Sequence, residues 1–220
     1  MRILDMLYRP LHRLSSRPSE RGEYSSGVWQ DMVRRAVLDL CRGKRGTALE
    51  IGCGEGLFAG QLKQREPGLE VRGVDNDGAR LEQAKAKARE RGLEIDFSLC
   101  DAGRLPFPDA SFDLVVCANV FLILGSLGAI ENFLSEMKRV CKNDGSIIFD
   151  YRNSRNPLLR LKYALAPYYD HSVRHLRLTT CDPRWIERVL RGLGLKVARQ
   201  RNLGFFIRGL APLIVVEAGQ

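Results

Sequence analysis

Short apolar runs recur along the middle of the chain, and longer stretches of helical spacing separate them. The runs "TALEI", "LEVRGVD", "LEIDFSL", "FDLVVCAN" and "GSIIFDY" have the length and apolar content of buried strands. In the stretches between them, apolar residues return every three or four positions, as in a helix that buries one face. This alternation predicts an α/β fold, doubly wound and Rossmann-like, with a mostly parallel sheet between two layers of helices.

The predicted helices have recognisable ends. One helix is expected to stop before Pro67, and another to be closed by Gly92. Near the end of the chain, Asp182 is a suitable cap for a helix with Pro183 in its first position. We therefore expect helices near residues 28–41, 57–65, 77–91 and 127–141, and one from Pro183 that ends near Gly192 or Gly194.

The alternation stops after Tyr151. Residues 152–180 contain Pro157 and Pro167 and are expected to be irregular. The closing stretch "LKVARQRNLGFFIRGLAPLIVVEAG" reads as two strands joined by a loop too short for a helical crossover. These strands must pair as an antiparallel hairpin, which completes a seven-stranded sheet.

Composition narrows the class of protein. A chain of 220 residues with 45% hydrophobic content suits one domain. No apolar run reaches the roughly 18 residues of a membrane span, and charges interrupt the N-terminal "MRILDMLYRPLHRL", unlike a secretory signal. None of the six cysteines forms a CxxC pair, so neither a metal site nor a disulfide framework is predicted. We expect a reduced, cytoplasmic protein.

The net charge of +9 is concentrated in the flanks of the chain. Residues 46–150 hold 12 Lys and Arg against 17 Asp and Glu, whereas residues 151–220 hold 13 against 4. Basic flanks of this kind suit an anionic partner such as a lipid head group, a nucleic acid or an acidic small molecule. A solvated arginine-rich surface explains them equally well.

The stretch "LEIGCGEG" after the first strand carries the strongest chemical signal. Gly52, Gly54 and Gly56 alternate there, in a turn that would let a ligand approach the backbone closely. The dinucleotide pattern G-x-G-x-x-G does not fit, because its sixth position is Leu57. The carboxylate of Glu50 would also repel a pyrophosphate, so the turn favours a cationic or amine-bearing ligand.

"LEIGCGEG" resembles the first motif of the class I S-adenosylmethionine-dependent methyltransferases, in particular their small-molecule, type 11-like members. The resemblance continues in order through "VRGVDNDGARLEQAKAKA", "CDAGRLPFPDASFDLVVCANV" and "MKRVCKNDGSIIFDY". It covers Gly46 to Tyr151 well and the terminal hairpin loosely. It implies an enzyme of the methyltransferase fold, with S-adenosyl-L-methionine as the cofactor that donates the methyl group.

The resemblance also implies roles for individual residues. The glycine turn would contact the methionine and ribose parts of the donor, Glu50 its amino end, and Asp75 the ribose hydroxyls. Asp101 and the Ala102 N–H would bind the adenine, Asn76 would lie against it, and Asn119 would lie beside the sulfonium. The implied cofactor-binding residues are Glu50, Gly52, Cys53, Gly54, Gly56, Asp75, Asn76, Asp101, Ala102 and Asn119.

No catalytic base is evident. Many small-molecule members of the family carry a histidine just after the fourth strand, where this chain has "NVFLILGS" without a titratable group. His171 and His175, four residues apart, and Tyr169 are weak candidates for a base, because a base needs geometry before pKa. The more ordinary interpretation places these side chains on a basic surface.

The expected acceptor is a small molecule, hydrophobic or anionic, held under the basic flanks. Residues 1–16 place apolar side chains at helical spacing among arginines, which suits contact with an anionic membrane or a lid over the domain. An RNA methyltransferase and a non-catalytic S-adenosylmethionine-binding protein are the alternatives. "CANVF" lacks the Asn/Asp-Pro-Pro-aromatic pattern of base N-methylation, so nucleic acid is disfavoured. The predicted organisation is an N-terminal helical cap (1–45), a donor-binding core (46–151), an acceptor-side insertion (152–180) and a C-terminal helix and hairpin of the same domain (181–220).

Overall fold

A computed structural model of the chain describes residues 28–101, 103–169, 178–204 and 208–220. Its described strands form one seven-stranded sheet in the order β3-β2-β1-β4-β5-β7-β6. The strands are β1 (Gly46–Ile51), β2 (Leu69–Asp75), β3 (Ile95–Leu99), β4 (Phe112–Cys117), β5 (Cys141–Arg152), β6 (Lys196–Leu203) and β7 (Leu213–Gly219). Pairing is parallel except at β7, which runs antiparallel to both β5 and β6. The predicted sheet and its terminal hairpin are confirmed.

Helices cover both faces of this sheet. The described α-helices are α1 (Val28–Leu40), α2 (Leu57–Arg65), α3 (Gly78–Glu90), α4 (Leu127–Val140), α5 (Pro157–Tyr169) and α6 (Pro183–Gly192). One core lies between the sheet and α1, α2 and α3, and the other between the sheet and α4 and α6. Within β4, Leu114 and Val116 face the first core, and Val115 and Cys117 face the second. Burial on both faces explains why the strands read as continuous apolar runs.

The expectation of an irregular segment over residues 152–180 is wrong for α5. The Asn156 side chain accepts a hydrogen bond from the Leu159 amide at 2.7 Å, which caps the helix, and Leu159 is fully buried. Pro157 is the first helical residue, where its missing N–H costs nothing. The prolines were thus misread as helix breakers. Within the described ranges, no helix has the length and apolarity needed to cross a bilayer.

The direction of the chain reverses between β1 and β4. From β1 the chain moves outward to β2 and β3, and it then returns to β4 and β5 on the other side. In open parallel sheets, ligands bind in the crevice at the carboxyl ends of the strands where this reversal occurs. The glycine turn after β1 and the loop after β4 meet at this edge.

Candidate active site

The turn after β1 depends on glycine because its backbone is left-handed. Gly52, Gly54 and Gly56 have φ angles of 76°, 51° and 71°, a region that other residues rarely adopt. The amides of Gly52 and Cys53 both donate to the Val74 carbonyl, at 2.8 and 3.0 Å. These bonds fold the turn back onto the end of β2.

The three glycines differ in what surrounds them. A Cβ atom at Gly52 would lie 2.4 Å from Val120 Cγ2, and one at Gly56 would lie 2.9 Å from Ala84 Cβ. A Cβ at Gly54 would meet nothing within 4 Å. Gly52 and Gly56 therefore allow close packing of the protein on itself, whereas Gly54 presents backbone to an open space that can receive a ligand.

Asp75 connects the turn to the end of β2. Its Oδ2 accepts from the Gly54 amide at 2.7 Å, and its Oδ1 accepts from the Asp77 amide at 3.0 Å. A carboxylate offers about four acceptor positions, so these two amides do not exhaust it. Asp75 thus lies beside the glycine turn, and its predicted role toward the ribose hydroxyls stays a prediction.

Glu50 is a buried carboxylate in need of a partner. Only 3% of the residue is exposed, and its Oε2 has no hydrogen-bond partner among the described residues. Burial raises the pKa of the Glu50 carboxyl well above its usual value; the Ala59 amide and the Arg34 charge counteract this in part, and the Asp75 charge adds to it. An unsatisfied oxygen beside an open turn fits a ligand that carries a cationic donor, such as the ammonium of S-adenosylmethionine.

The residues predicted to contact adenine lie along the neighbouring strand ends. Asn76 directly follows β2 and is exposed, and Asp101 lies two residues after β3, which pairs with β2. Asp101 Oδ1 accepts from the Gly103 amide at 2.9 Å. Ala102 lies outside the described residues. The structure thus places Asn76 and Asp101 at one edge of the sheet.

Asn119 lies two residues after β4, at the start of the loop that follows this strand, in a polar environment. Its φ is 63°, its amide donates to Asp150 Oδ1 at 2.5 Å, and its Nδ2 donates to the Gln30 carbonyl at 3.3 Å. Arg152 donates to Asn119 Oδ1 at 2.9 Å and also to the Asp150 carboxylate. Asp150 and Arg152 were missed by the sequence analysis. The available signal was an acid and an arginine two residues apart in an otherwise apolar strand.

A tyrosine also approaches this polar environment from α5. Burial raises the pKa of Tyr163, and the neighbouring Arg152 guanidinium counteracts this in part. The predicted base candidates are not tested, because His171 and His175 lie outside the described residues, as does the side chain of Tyr169. Tyr163 is therefore a described tyrosine of this helix that lies near the strand ends.

The loop after β4 forms an apolar wall next to Asn119. Phe121 is buried against the core, whereas Ile123 is 43% exposed. On the other side of the cleft, the ammonium of Lys162 lies 3.7 Å from the centre of the Trp29 ring and connects α5 to α1. The acceptor side of the edge is thus bounded by apolar side chains and by helices α1 and α5.

Comparison with known sequences identifies relatives. The family described as "Methyltransferase domain" matches residues 49–149. A phosphatidylethanolamine N-methyltransferase of Cereibacter sphaeroides is 31% identical over 170 residues, which cover 74% of this chain and 81% of that protein. A demethylmenaquinone methyltransferase of Thermus thermophilus is 39% identical over 116 residues, covering 52% of this chain and 51% of that protein.

Comparison with solved structures supports the fold. A protein of Pyrococcus horikoshii superposes with a TM-score of 0.71 at 19% identity, covering 97% of this chain and 98% of that one. The magnesium protoporphyrin IX methyltransferase of Synechocystis, solved with bound SAH, superposes with a TM-score of 0.69 at 18% identity, covering 97% and 94%. With the glycine turn, the strand-end acids and these relatives in agreement, the chain belongs to the class I S-adenosylmethionine-dependent methyltransferases.

Proposed function

We propose that this enzyme methylates a membrane lipid, with the amine of a phosphatidylethanolamine-type head group as the first candidate. The observation that carries this proposal is a stripe of exposed leucines on α5, next to the acceptor side of the site. The relative from Cereibacter sphaeroides, which is named for this lipid, supports the choice of head group. The expected small, hydrophobic or anionic acceptor is thereby narrowed to a lipid with a polar head.

The leucine stripe consists of Leu158, Leu161 and Leu165, which are 64%, 57% and 47% exposed. At 3.6 residues per turn, these positions fall within about 60° on one side of the helix. The buried Leu159 lies on the other side. An exposed apolar stripe on a helix packed against its domain suits insertion into a bilayer interface.

Charge favours an anionic membrane as the partner of this stripe. Residues 153–169 contain three cations, Arg155, Arg160 and Lys162, and no acidic residue. Cations that flank an apolar face add electrostatic attraction to anionic lipids. The basic amphipathic residues 1–16, which lie outside the described residues, are proposed as a second contact with the same surface.

The donor is assigned to the cleft between the glycine turn and the ends of β2 and β3. The ammonium of the donor would face Glu50, its ribose would face Asp75, and its adenine would lie near Asn76, Asp101 and Ala102. S-adenosylmethionine supplies a methyl group on a positively charged sulfur, so the reaction mainly needs alignment. The open space at Gly54 and the unpartnered Glu50 oxygen support this assignment.

An amine acceptor suits the apolar loop after β4. Residues 120–125 of this loop carry no titratable side chain. The head-group ammonium first loses a proton to water. The neutral amine nitrogen then uses its lone pair to form the bond to the methyl carbon while the carbon–sulfur bond breaks and sulfur keeps the electron pair. The methylated product forms as an ammonium, so the transfer itself requires no base in this loop.

The proposal is tested with radiolabelled S-adenosylmethionine. The enzyme is incubated separately with vesicles of phosphatidylethanolamine and phosphatidylglycerol, with vesicles of phosphatidylglycerol alone, and with total RNA. We expect label in the N-methylated lipid of the first sample. Label that appears in RNA, with none in lipid, would contradict the proposal and favour the RNA alternative.

A quinone is the second candidate acceptor, favoured by the 39% identity to the demethylmenaquinone methyltransferase. The chain spans about half of that relative. The same assay with demethylmenaquinone in phosphatidylglycerol vesicles separates the two candidates, because the product is methylated on carbon and not on nitrogen. Label in the quinone with none in phosphatidylethanolamine would assign the enzyme to quinone methylation.

We also infer that one domain serves both substrates, with residues 46–151 as the donor-binding core and residues 152–180 on the acceptor side. The flanking segments 1–45 and 181–220 would cap and complete it. A cytoplasmic location is supported by the cysteines, which are all free thiols, five of them buried. Limited proteolysis that yielded two independently stable fragments would contradict the single domain.

A further inference from the structure

A polar cluster lies at the carboxyl ends of β4 and β5, consisting of Asn119, Asp150, Arg152 and Tyr163. We call it the strand-end cluster. Asp150 and Arg152 are each 2% exposed and form an ion pair, whereas Asn119 and Tyr163 are half-buried. The Arg152 guanidinium also donates to Asn119 Oδ1 at 2.9 Å, and its charge counteracts in part the rise that burial causes in the pKa of Tyr163. One arginine thus joins β4 and β5 next to α5.

The strand-end cluster reaches the donor turn through one residue. Val120 follows Asn119, and its Cγ2 fills the place that a side chain at Gly52 would occupy, 2.4 Å from an ideal Cβ. The position of residues 119 and 120 therefore sets the wall of the glycine turn. Any movement of Asn119 would be transmitted to the space beside the donor.

Asn119 has a left-handed backbone, which asparagine tolerates better than most residues other than glycine. Its φ is 63°, and Ala110 is the one other described non-glycine residue with a positive φ. The surrounding contacts keep the backbone in this conformation. Here Asp150 holds the backbone amide, while Arg152 and the Gln30 carbonyl hold the side chain.

Stability alone does not explain the strand-end cluster. Apolar residues of similar volume are often as stabilising as a buried ion pair, or more so, because both charges must be desolvated. The Nε atom of Arg152 is even buried without a hydrogen-bond partner among the described residues. What the guanidinium supplies is a planar fork whose two ends reach Asp150 and Asn119 together, which an ammonium cannot do.

We propose that Arg152 is a positioning residue for methyl transfer. It fixes Asn119 and Val120 against the donor turn, at the strand ends that the acceptor-side helix α5 approaches. In-line transfer requires donor and acceptor to be aligned, so a loosened strand-end cluster slows the transfer more than it weakens donor binding.

The main test uses a variant that removes both charges together, Asp150→Asn with Arg152→Met. This neutral pair avoids an unpaired buried carboxylate, so it remains folded even if Arg152→Met alone does not. We expect kcat to fall by about 10- to 100-fold, while the dissociation constant of S-adenosylmethionine changes by less than about threefold. A kcat equal to that of the wild type would overturn the proposal.

Two further variants separate positioning from general stability. Arg152→Lys keeps the charge but not the fork, so its kcat should lie between those of the wild type and the neutral pair. Asn119→Ala should lower kcat in the wild type but not further in the neutral pair, because both act through one element. Equal losses in both backgrounds would show that Asn119 acts independently of Arg152. Arg199→Met, which breaks the ion pair with Glu217 on β7, serves as the control and should leave kcat unchanged.

A spectroscopic measurement needs no acceptor. The kinetic test uses phosphatidylethanolamine vesicles and so rests on the proposed lipid acceptor, whereas the NMR resonance of methyl-¹³C S-adenosylmethionine bound to the enzyme does not. We expect this resonance to shift in the neutral pair and to stay unchanged in Arg199→Met. If no lipid is methylated but the resonance shifts as expected, the lipid proposal fails and the positioning role stands. An unshifted resonance in the neutral pair overturns the positioning role.

Discussion

The two halves of the site are built in different ways. The donor half, from the glycine turn to the ends of β2 and β3, is made largely of backbone: three left-handed glycines and amides that bond to Asp75. The acceptor half, at the ends of β4 and β5, is made of the side chains of the strand-end cluster. Backbone contacts suit a methyl donor that all members of a family share, because they do not depend on side-chain identity. Side-chain contacts can differ between members that methylate different acceptors.

The two halves also differ in the partners that they provide for a buried carboxylate. Glu50 and Asp150 are equally inaccessible, and burial raises the pKa of both carboxyls. Asp150 has a guanidinium in direct contact, whereas one oxygen of Glu50 has no hydrogen-bond partner among the described residues. The acid at the ends of β4 and β5 is therefore paired within the protein, whereas the acid proposed to face the donor keeps one oxygen available for a ligand.

The largest expected effect would come from removing the acid that organises the donor half. Asp75→Ala leaves the Gly54 and Asp77 amides without their acceptor and removes the proposed ribose contact. Hydrogen bonds to a charged group contribute about 1.5–3 kcal/mol each, so donor affinity should fall by roughly 100-fold or more. Calorimetric titration with S-adenosylmethionine measures this loss of donor affinity. The exposed Asp96→Ala on β3 is the control, and an unchanged affinity in Asp75→Ala would refute the donor assignment.

Substitution of two glycines of the same turn should affect different properties: stability for Gly52 and donor affinity for Gly54. Gly52→Ala should destabilise the fold by roughly 2–4 kcal/mol, because its Cβ would overlap Val120 in addition to the backbone strain. Gly54→Ala carries strain alone, about 1–2 kcal/mol, but places a methyl group in the donor space and should weaken donor binding more. Urea unfolding and calorimetry separate the two effects.

Gly43 supplies the reference for this pair. It has a φ of 75° and nothing within 4 Å of an added Cβ, so Gly43→Ala measures the strain alone. If Gly52→Ala cost no more stability than Gly43→Ala, Val120 would not pack against the turn as described.

The leucine stripe offers a test of the acceptor half. Leu161→Gln with Leu165→Gln should reduce binding to phosphatidylglycerol vesicles by about 30-fold, since partial burial of each leucine is worth about 1 kcal/mol. Stability in urea should change little because both side chains are exposed. Vesicle flotation measures binding, with Val197→Gln on β6 as an exposed apolar control.

Two outcomes would contradict the membrane interpretation of the stripe. Equal flotation of the leucine variant and the wild type would show that the leucine stripe of α5 does not contact the membrane. A concentration-dependent dimer that the leucine variant abolishes would show that a second copy of the chain covers the stripe. The corresponding test for residues 1–16 is Leu7→Gln with Leu11→Gln in the full chain, which should also reduce flotation.

The smallest expected effect concerns pH in the donor half. Because the folded-state pKa of Glu50 is raised, the folded protein binds more protons than the unfolded chain between the usual and the raised pKa. The contribution of the Glu50 carboxyl to the free energy of unfolding is therefore lost as pH rises through this window, by about 1.4 kcal/mol for each pH unit by which the pKa is raised. Glu50→Gln should be more stable than the wild type above the window. It should also lose the pH dependence of donor affinity, which in the wild type weakens as pH falls and the carboxyl becomes protonated.

Denaturant unfolding and calorimetric titration at several pH values measure both parts of this prediction. Asp150 in the acceptor half is paired with Arg152, whereas Glu50 is proposed to pair with the ammonium of the donor. The pH dependence of donor affinity is therefore attributed to Glu50. Donor affinity independent of pH in the wild type would show that Glu50 does not contact a cation.

The sequence predicted where the proposed donor half would assemble because that half is local. Gly52, Gly54 and Gly56 follow one strand, and Asp75 ends the next, so their meeting follows from parallel pairing. The strand-end cluster could not be predicted in this way. It brings Asn119 and Arg152 together over 33 residues, and nothing local to either of them indicates the other. The helix α5 was missed for a different reason, because Pro157 is the first residue of a helix and does not interrupt one.

The contact between Lys162 and Trp29 has a practical use. Trp29 and Trp185 are the two tryptophans of the chain, so Trp185→Phe would leave a single fluorophore at the junction of α1 and α5. An ammonium 3.7 Å from an indole ring alters its fluorescence, and separation of the two helices would shift the emission maximum of Trp29. The Trp185→Phe variant would therefore carry an intrinsic optical probe of the contact between α1 and α5.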